Sequence, residues 1–228
     1  MKLHKLGCMR WVGSLAAALL IFAAPALAGP PLICHAIDIG TAQSLPWSGT
    51  GWNLTGHENY DVGRVVEDTL ALLVPETPVL VRMETIRRAT LFAAQRAELA
   101  TDLLKRLEAR TRENPNDALA AFDYGYLAET YRQASWLAQH TDWLKASTGS
   151  GRGLQTNPAA SVDGYALVTK ASRLRGDDPE MEFAAALMSG EKGPSAAQEK
   201  HLKNAMAGAK KDAMLARNLA SRFPKNAA

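Results

Sequence analysis

Four short start signals cut residues 61–223 into helical pieces: Thr77-Pro78, Asn114-Pro115-Asn116-Asp117, Asp178-Pro179 and Ser195-Ala196-Ala197-Gln198. Each sets a side-chain oxygen ahead of good helix formers, where it can accept from the N–H groups that a first turn leaves unpaired. Proline at a first helical position loses only an N–H that would be unpaired anyway. Between the signals, apolar residues recur at helical spacing. Val62, Val65, Val66, Leu70 and Leu73 run to Pro75, and Val79, Met83, Ile86 and Thr90 follow with Arg82, Arg87 and Arg88 on the outside. A third helix covers about Arg96 to Arg112, a fourth runs from Asp117 to Gln139, and a fifth covers Val162 to Leu174. Asp178-Pro179 opens a sixth, carried by Met181, Phe183, Ala184 and Leu187. One long last helix, started by a capping box at Ser195 and Gln198, runs from there to Phe223.

The stretch from Asn114 to Tyr131 predicts the central helix, with one apolar stripe through Ala121, Phe122, Gly125 and Ala128 and another through Tyr124, Leu127 and Tyr131. Glycine inside a helix costs about 1 kcal/mol relative to alanine, so Gly125 predicts a neighbouring helix packed close.

Residues 29–60 have a different character. Gly29-Pro-Pro-Leu-Ile-Cys-His-Ala-Ile-Asp-Ile-Gly40 reads as extended, followed by a glycine-rich loop with Trp47 and Trp52 that pin an arm to the helical body. Ahead of it, Lys2, Lys5 and Arg10 precede a short apolar run, Pro25 and Ala26-Leu27-Ala28. That is the pattern of a cleaved export signal over residues 1–28, leaving no stable membrane anchor. Residues 146–160 have the composition of a flexible loop.

Removing the leader takes three lysines and arginines and no acid, so 23 basic and 23 acidic residues remain. A formally neutral chain lacks the cationic excess that phosphate backbones demand, which argues against nucleic acid. Only Cys34 survives cleavage, so no intrachain disulfide forms and apolar burial has to build the core; the full chain is 47% hydrophobic. A periplasmic or secreted protein is expected.

Helix pairs with Asn/Asp-Pro boundaries, as at Asn114-Pro115 with Tyr124-Gly125 and at Gly164 to Ala171 with Asp177-Asp178-Pro179, resemble the tetratricopeptide-repeat family of helical solenoids. The likeness covers residues 78–222, without a regular 34-residue spacing. It implies an all-α domain over residues 61–228 that binds a protein or peptide along its surface, with no cofactor. Pro30-Pro-Leu-Ile-Cys-His35 also resembles the opening of a group of exported bacterial proteins of unknown function.

Chemistry has few places to sit. Cys34 and His35 can form a metal or redox pair, with His57 as a third group. In an extended segment, however, neighbouring side chains face opposite ways, and the simpler reading is a small buried thiol or a Cys34-linked dimer. His57-Glu58 lacks the second histidine of a zinc-protease motif, Gly149 to Gly153 lacks the Gly-Lys-Ser/Thr of a phosphate loop, and Ser189-Gly-Glu-Lys192 sits in a turn. Glu67-Asp68 and Asp177-Asp178 complement helix starts. The basic residues from Lys200 to Lys225 form a solvated outer face. Trp47, Trp52, Tyr124 and Tyr131 are the candidates for contacting a partner, with Trp136 and Trp143 as further groove aromatics. No catalytic constellation emerges, and the expectation is a non-catalytic binding scaffold.

Overall fold

The computed structural model describes residues 29–47, 59–141, 154–191 and 193–224. The expected leader at residues 1–28, together with Trp52, His57, Trp143 and Gly149 to Gly153, lies outside the described residues. Within them the chain is all-helical, as its periodicity indicates. A single 3-10 turn, Val62–Arg64, leads into α1 (Val65–Leu72), and α2 (Val79–Ala93), α3 (Ala97–Glu113) and α4 (Ala118–His140) follow. After the undescribed loop come α5 (Gly164–Leu174), α6 (Pro179–Ser189), α7 (Ala196–Ala209) and α8 (Ala213–Arg222).

Three of the four start signals cap helices. Asp117 accepts from the N–H groups of Leu119 and Ala120, Asp178 from those of Glu180 and Met181, and Ser195 from that of Gln198. The fourth behaves differently. Pro78 is itself the cap of α2, and the Thr77 hydroxyl donates to the Leu72 carbonyl at 2.6 Å, closing the turn out of α1. The capping box is half made, because the Gln198 amide donates to the Ala186 carbonyl of α6 instead of returning to Ser195. The single long last helix is a correction: Lys210 and Lys211 break it, and Asp212 opens α8 by accepting from the N–H groups of Met214 and Leu215. The loop expectation over 146–160 also yields at its end, where Leu154 and Ala159 are buried.

Every residue of α2 except Arg88 is buried, the charged Arg82, Glu84 and Arg87 included. The helix packs on α1, α4 and α6, while α4 also packs on α3 and α5. The remaining helices stack in order, α5 on α6, α6 on α7 and α7 on α8. The arm at residues 29–47 lies across α2, α4 and α8, so the two ends of the described chain meet.

The closest approach is between α4 and α5. A methyl group on Gly125 would lie 2.7 Å from Leu167 Cβ and 2.8 Å from the Gly164 carbonyl oxygen, and one on Gly164 would lie 2.4 Å from the Gly125 carbonyl oxygen. Backbone meets backbone there, as Gly125 led us to expect. Gly164→Ala should therefore lower stability by about 1–3 kcal/mol in urea denaturation, despite its gain in helix propensity. An unchanged midpoint would mean that α4 and α5 do not touch at these glycines.

Candidate functional site

The arm begins with a tight turn and is not extended there, because the fixed φ of proline suits a first helical turn. The Pro30 carbonyl accepts from the N–H groups of Ile33 (3.3 Å) and Cys34 (3.0 Å). From Ile37 to Ile39 the burial alternates, with both isoleucines in the core and Asp38 exposed. Leu32, Ile33 and Leu45 are also core residues. Trp47 packs its ring edge against Phe92 at 5.7 Å, and the Arg87 guanidinium lies 5.1 Å from the Trp47 ring.

Buried backbone polar groups need partners, and side chains from three helices supply them to the arm. Gln133 of α4 accepts from the Leu32 N–H at 2.8 Å, and Glu84 of α2 from the Ile37 N–H at 2.9 Å. Arg87 donates to the Ile33 carbonyl, Arg88 to that of Leu45, and Arg222 of α8 to that of His35. Asn218 of α8 binds Asp38 through both sides of its amide, accepting from the N–H and donating to the carbonyl, each at 2.8 Å.

The arginines expected on the outside of α2 are mostly inside it. Arg82 is 1% and Arg87 0% exposed. Arg82 donates to Asp123 of α4 at 2.6 Å and to the carbonyls of Thr77 and Val74. Glu84 accepts from Arg87 Nε and Nη2 and from Arg88 Nε, all at 2.8 Å. Burial works to raise the Glu84 carboxyl, but the two guanidinium groups and the Ile37 N–H outweigh it and hold it below the ordinary carboxylate range. Arg222, expected on a solvated face, is also buried; Lys200, Lys203, Lys210, Lys211 and Arg217 are exposed.

These elements enclose a pocket of about 590 Å³. One wall is the arm from Cys34 to Gly40, and the other is Arg217, Asn218, Ser221 and Arg222, with Glu84 and Arg88 between them. Because the arm turns at Cys34, both Cys34 and His35 line this pocket, where an extended segment would separate them. Burial pushes the Cys34 thiol up to about 11, against the opposing pull of Arg87 and Arg222. A thiol that holds its proton at neutral pH is a poor nucleophile and ligand. Burial lowers Arg222 to about 10. Among the described residues, no three His, Cys, Asp or Glu side chains are grouped to hold a metal ion.

Two further clusters escaped sequence reasoning, since their members lie far apart in the chain. His201 of α7 sits between Glu182 (Nδ1 to Oε2, 2.8 Å) and the Tyr165 hydroxyl (Nε2 to O, 2.8 Å). Ser172 and Asn204 donate to the same carboxylate at 2.6 and 3.0 Å. This network saturates Glu182 and ties α5, α6 and α7 together, so packing accounts for it. Near the start of α6, Glu180 accepts from the Leu80 N–H at 3.1 Å and hydrogen-bonds the Asp212 carboxyl group, in the wall of a second pocket of about 310 Å³.

Of the aromatics expected to meet a partner, Tyr131 is wholly buried and presents no surface, while Trp47 and Tyr124 are half-buried against the core. Trp136 is exposed and stacks on His140 with 4.6 Å between ring centroids. Ser189, expected in a turn, is instead the last residue of α6 and donates its hydroxyl to the Ala185 carbonyl one turn back at 2.8 Å. No helix among the described residues is long and apolar enough to cross a membrane. Compared with protein-family models, curated proteins and solved structures, the chain matches none.

Burial is the first cause raising Glu180, to about 7, and the Asp212 hydrogen bond adds to it. A group whose folded pKa exceeds its unfolded one contributes fully below the unfolded value and loses that contribution as pH rises through the folded value. Stability should therefore fall between about pH 4.5 and 7 on account of Glu180. Glu180→Gln, which keeps an acceptor for Leu80, should melt a few degrees higher than the parent at pH 8 and lose that advantage at pH 4. Parallel melting curves across this range would show that Glu180 does not carry this pH dependence.

Proposed function

We propose that this protein is an exported, non-catalytic scaffold that binds a protein or peptide, built from tetratricopeptide-like helix pairs, and that the pocket between the arm and α8 is its recognition site. The observation that carries this reading is the bracing of the arm by side chains from α2, α4 and α8. A wall held in this way gives a preformed concave site, and preformed concavity is the common property of binding pockets. The raised Cys34 thiol and the fully hydrogen-bonded Glu84 weigh against a nucleophile or base at those two positions. Export rests on the leader pattern at residues 1–28, and the neutral mature chain gives nucleic acid no footprint.

A second reading, a metal or redox centre, draws on Cys34 and His35 sharing the pocket wall. It requires stoichiometric metal in protein purified from its native envelope, lost in Cys34→Ser, and the raised thiol weighs against it.

A photo-crosslinking amino acid at Ser221, on the pocket rim, should capture one discrete protein or peptide from envelope extract. The same probe at the exposed Lys105 of α3 should capture none of it. Equal capture from both positions, or catalytic turnover by the purified chain, would overturn the proposal.

A further inference from the structure

Resting on the reading of this pocket as a binding site, we infer that the group entering it is an anionic oxygen group, a carboxylate or a phosphate, and that Arg222 anchors it. Arg222 is 5% exposed, and a buried guanidinium is ordinarily matched by a carboxylate. Among the described residues Arg222 has no such match. Its Nη2 donates to the His35 carbonyl at 2.6 Å, and its Nη1 has no hydrogen-bond partner. Had the chain needed only a donor for that carbonyl, a neutral amide would serve without desolvating a charge.

The other charged groups of the pocket do not supply the missing partner. Glu84 already accepts four N–H groups, three from Arg87 and Arg88 and one from Ile37. Asp38 accepts from Arg217 Nε at 2.6 Å and from the Gly40 N–H at 2.9 Å. Arg88 and Arg217 line the same pocket as Arg222. Three guanidinium groups therefore stand against two carboxylates that are each already paired with an arginine, and the surplus is positive. A concave, low-dielectric wall strengthens such a surplus relative to open water. The planar fork of arginine matches the oxygens of carboxylate and phosphate alike, and Ser221 adds a hydroxyl at the exposed rim. The volume of about 590 Å³ admits a side chain or a phosphorylated group.

The test titrates the mature protein with inorganic phosphate and, separately, with a blocked Gly-Glu-Glu-Gly peptide. Potassium chloride at matched ionic strength is the control, and the readouts are the melting midpoint and the amide signals of Asn218 and Ser221. One of the two probes should raise the midpoint saturably and move those signals where chloride does not; which one does so separates phosphate from carboxylate. Arg222→Gln removes the buried unmatched charge and keeps an amide donor for the His35 carbonyl, so it should melt at or above the parent without anion and bind at least about tenfold more weakly. Should Arg222→Gln fail to fold, Ser221→Glu decides: a surface carboxylate at the mouth should weaken binding by about the same factor.

Parental binding by these variants, or no response of the parent beyond chloride, would overturn the inference. Failure of both probes with a partner still crosslinked from Ser221 would remove the anion inference and keep the scaffold reading. Binding of a probe with no partner captured would do the reverse.

Discussion

The Glu84–Arg87 pair, with both side chains fully buried, is the constraint on which the rest of the molecule depends. Removing one partner of such a pair costs about 3–5 kcal/mol, whereas replacing both by apolar groups is often neutral. The pair is therefore poorly explained as a source of stability alone. Its geometry gives a better account. The same carboxylate that binds Arg87 accepts the Ile37 N–H, and the same guanidinium donates to the Ile33 carbonyl. Two arm residues four positions apart are thus indexed to one turn of α2, which fixes the register of the arm along the helix. Apolar residues at both positions would fill the space and leave the arm's polar backbone groups without partners.

An arm of this kind has a strand's difficulty without a strand's solution. Its backbone passes through the interior, but among the described residues no neighbouring strand is there to pair with it. Side chains do that work here, and Asn218 is the clearest case, since its amide exchanges both hydrogen bonds with Asp38 much as a second peptide group would. This places strict demands on α2 and α8, which must offer Glu, Arg and Asn at buried positions while packing apolar residues on either side. It also joins residues 180 positions apart at Asp38 and Asn218. The arm and α8 therefore hold one another, and together they form the two walls of the pocket.

What was legible in the sequence follows from the range of the interactions involved. Asp117, Asp178 and Ser195 act within three residues of themselves, so their roles as caps are visible in the local sequence. Gly125 was legible because it is costly in a helix and only a close neighbour explains that cost, although its partner Gly164 could not be named. The arginines of α2 were misjudged because arginine is rarely buried unless paired, and Asp123, which pairs with Arg82, lies 41 residues away. A subtler signal was present: apolar residues surround α2 on every side, and a helix with no polar face has nowhere to send its arginines except inward. The break at Lys210-Lys211-Asp212 was hidden by an apolar period that runs across it. The turn at Pro30 was misread because two prolines suggest an extended chain, while their φ serves equally well to start a helical turn.

The site shows the same division between near and far. Cys34 and His35 drew attention as adjacent reactive side chains, and they do line the pocket, but burial quiets the thiol. The residues that give the pocket its character are Asn218 and Arg222, which stand in the stripe Leu215, Asn218, Leu219, Arg222 of α8. Spacings of three and four put all four on one face, and that face is buried. Polar residues in an otherwise apolar stripe were therefore the pointer available in the sequence. Such residues cost stability unless something bonds to them. Asn218 finds the Asp38 backbone, and Arg222 finds only the His35 carbonyl. The difference between those two outcomes, one amide fully matched and one charge only half matched, is what separates a structural brace from a binding group on the same turn of the same helix.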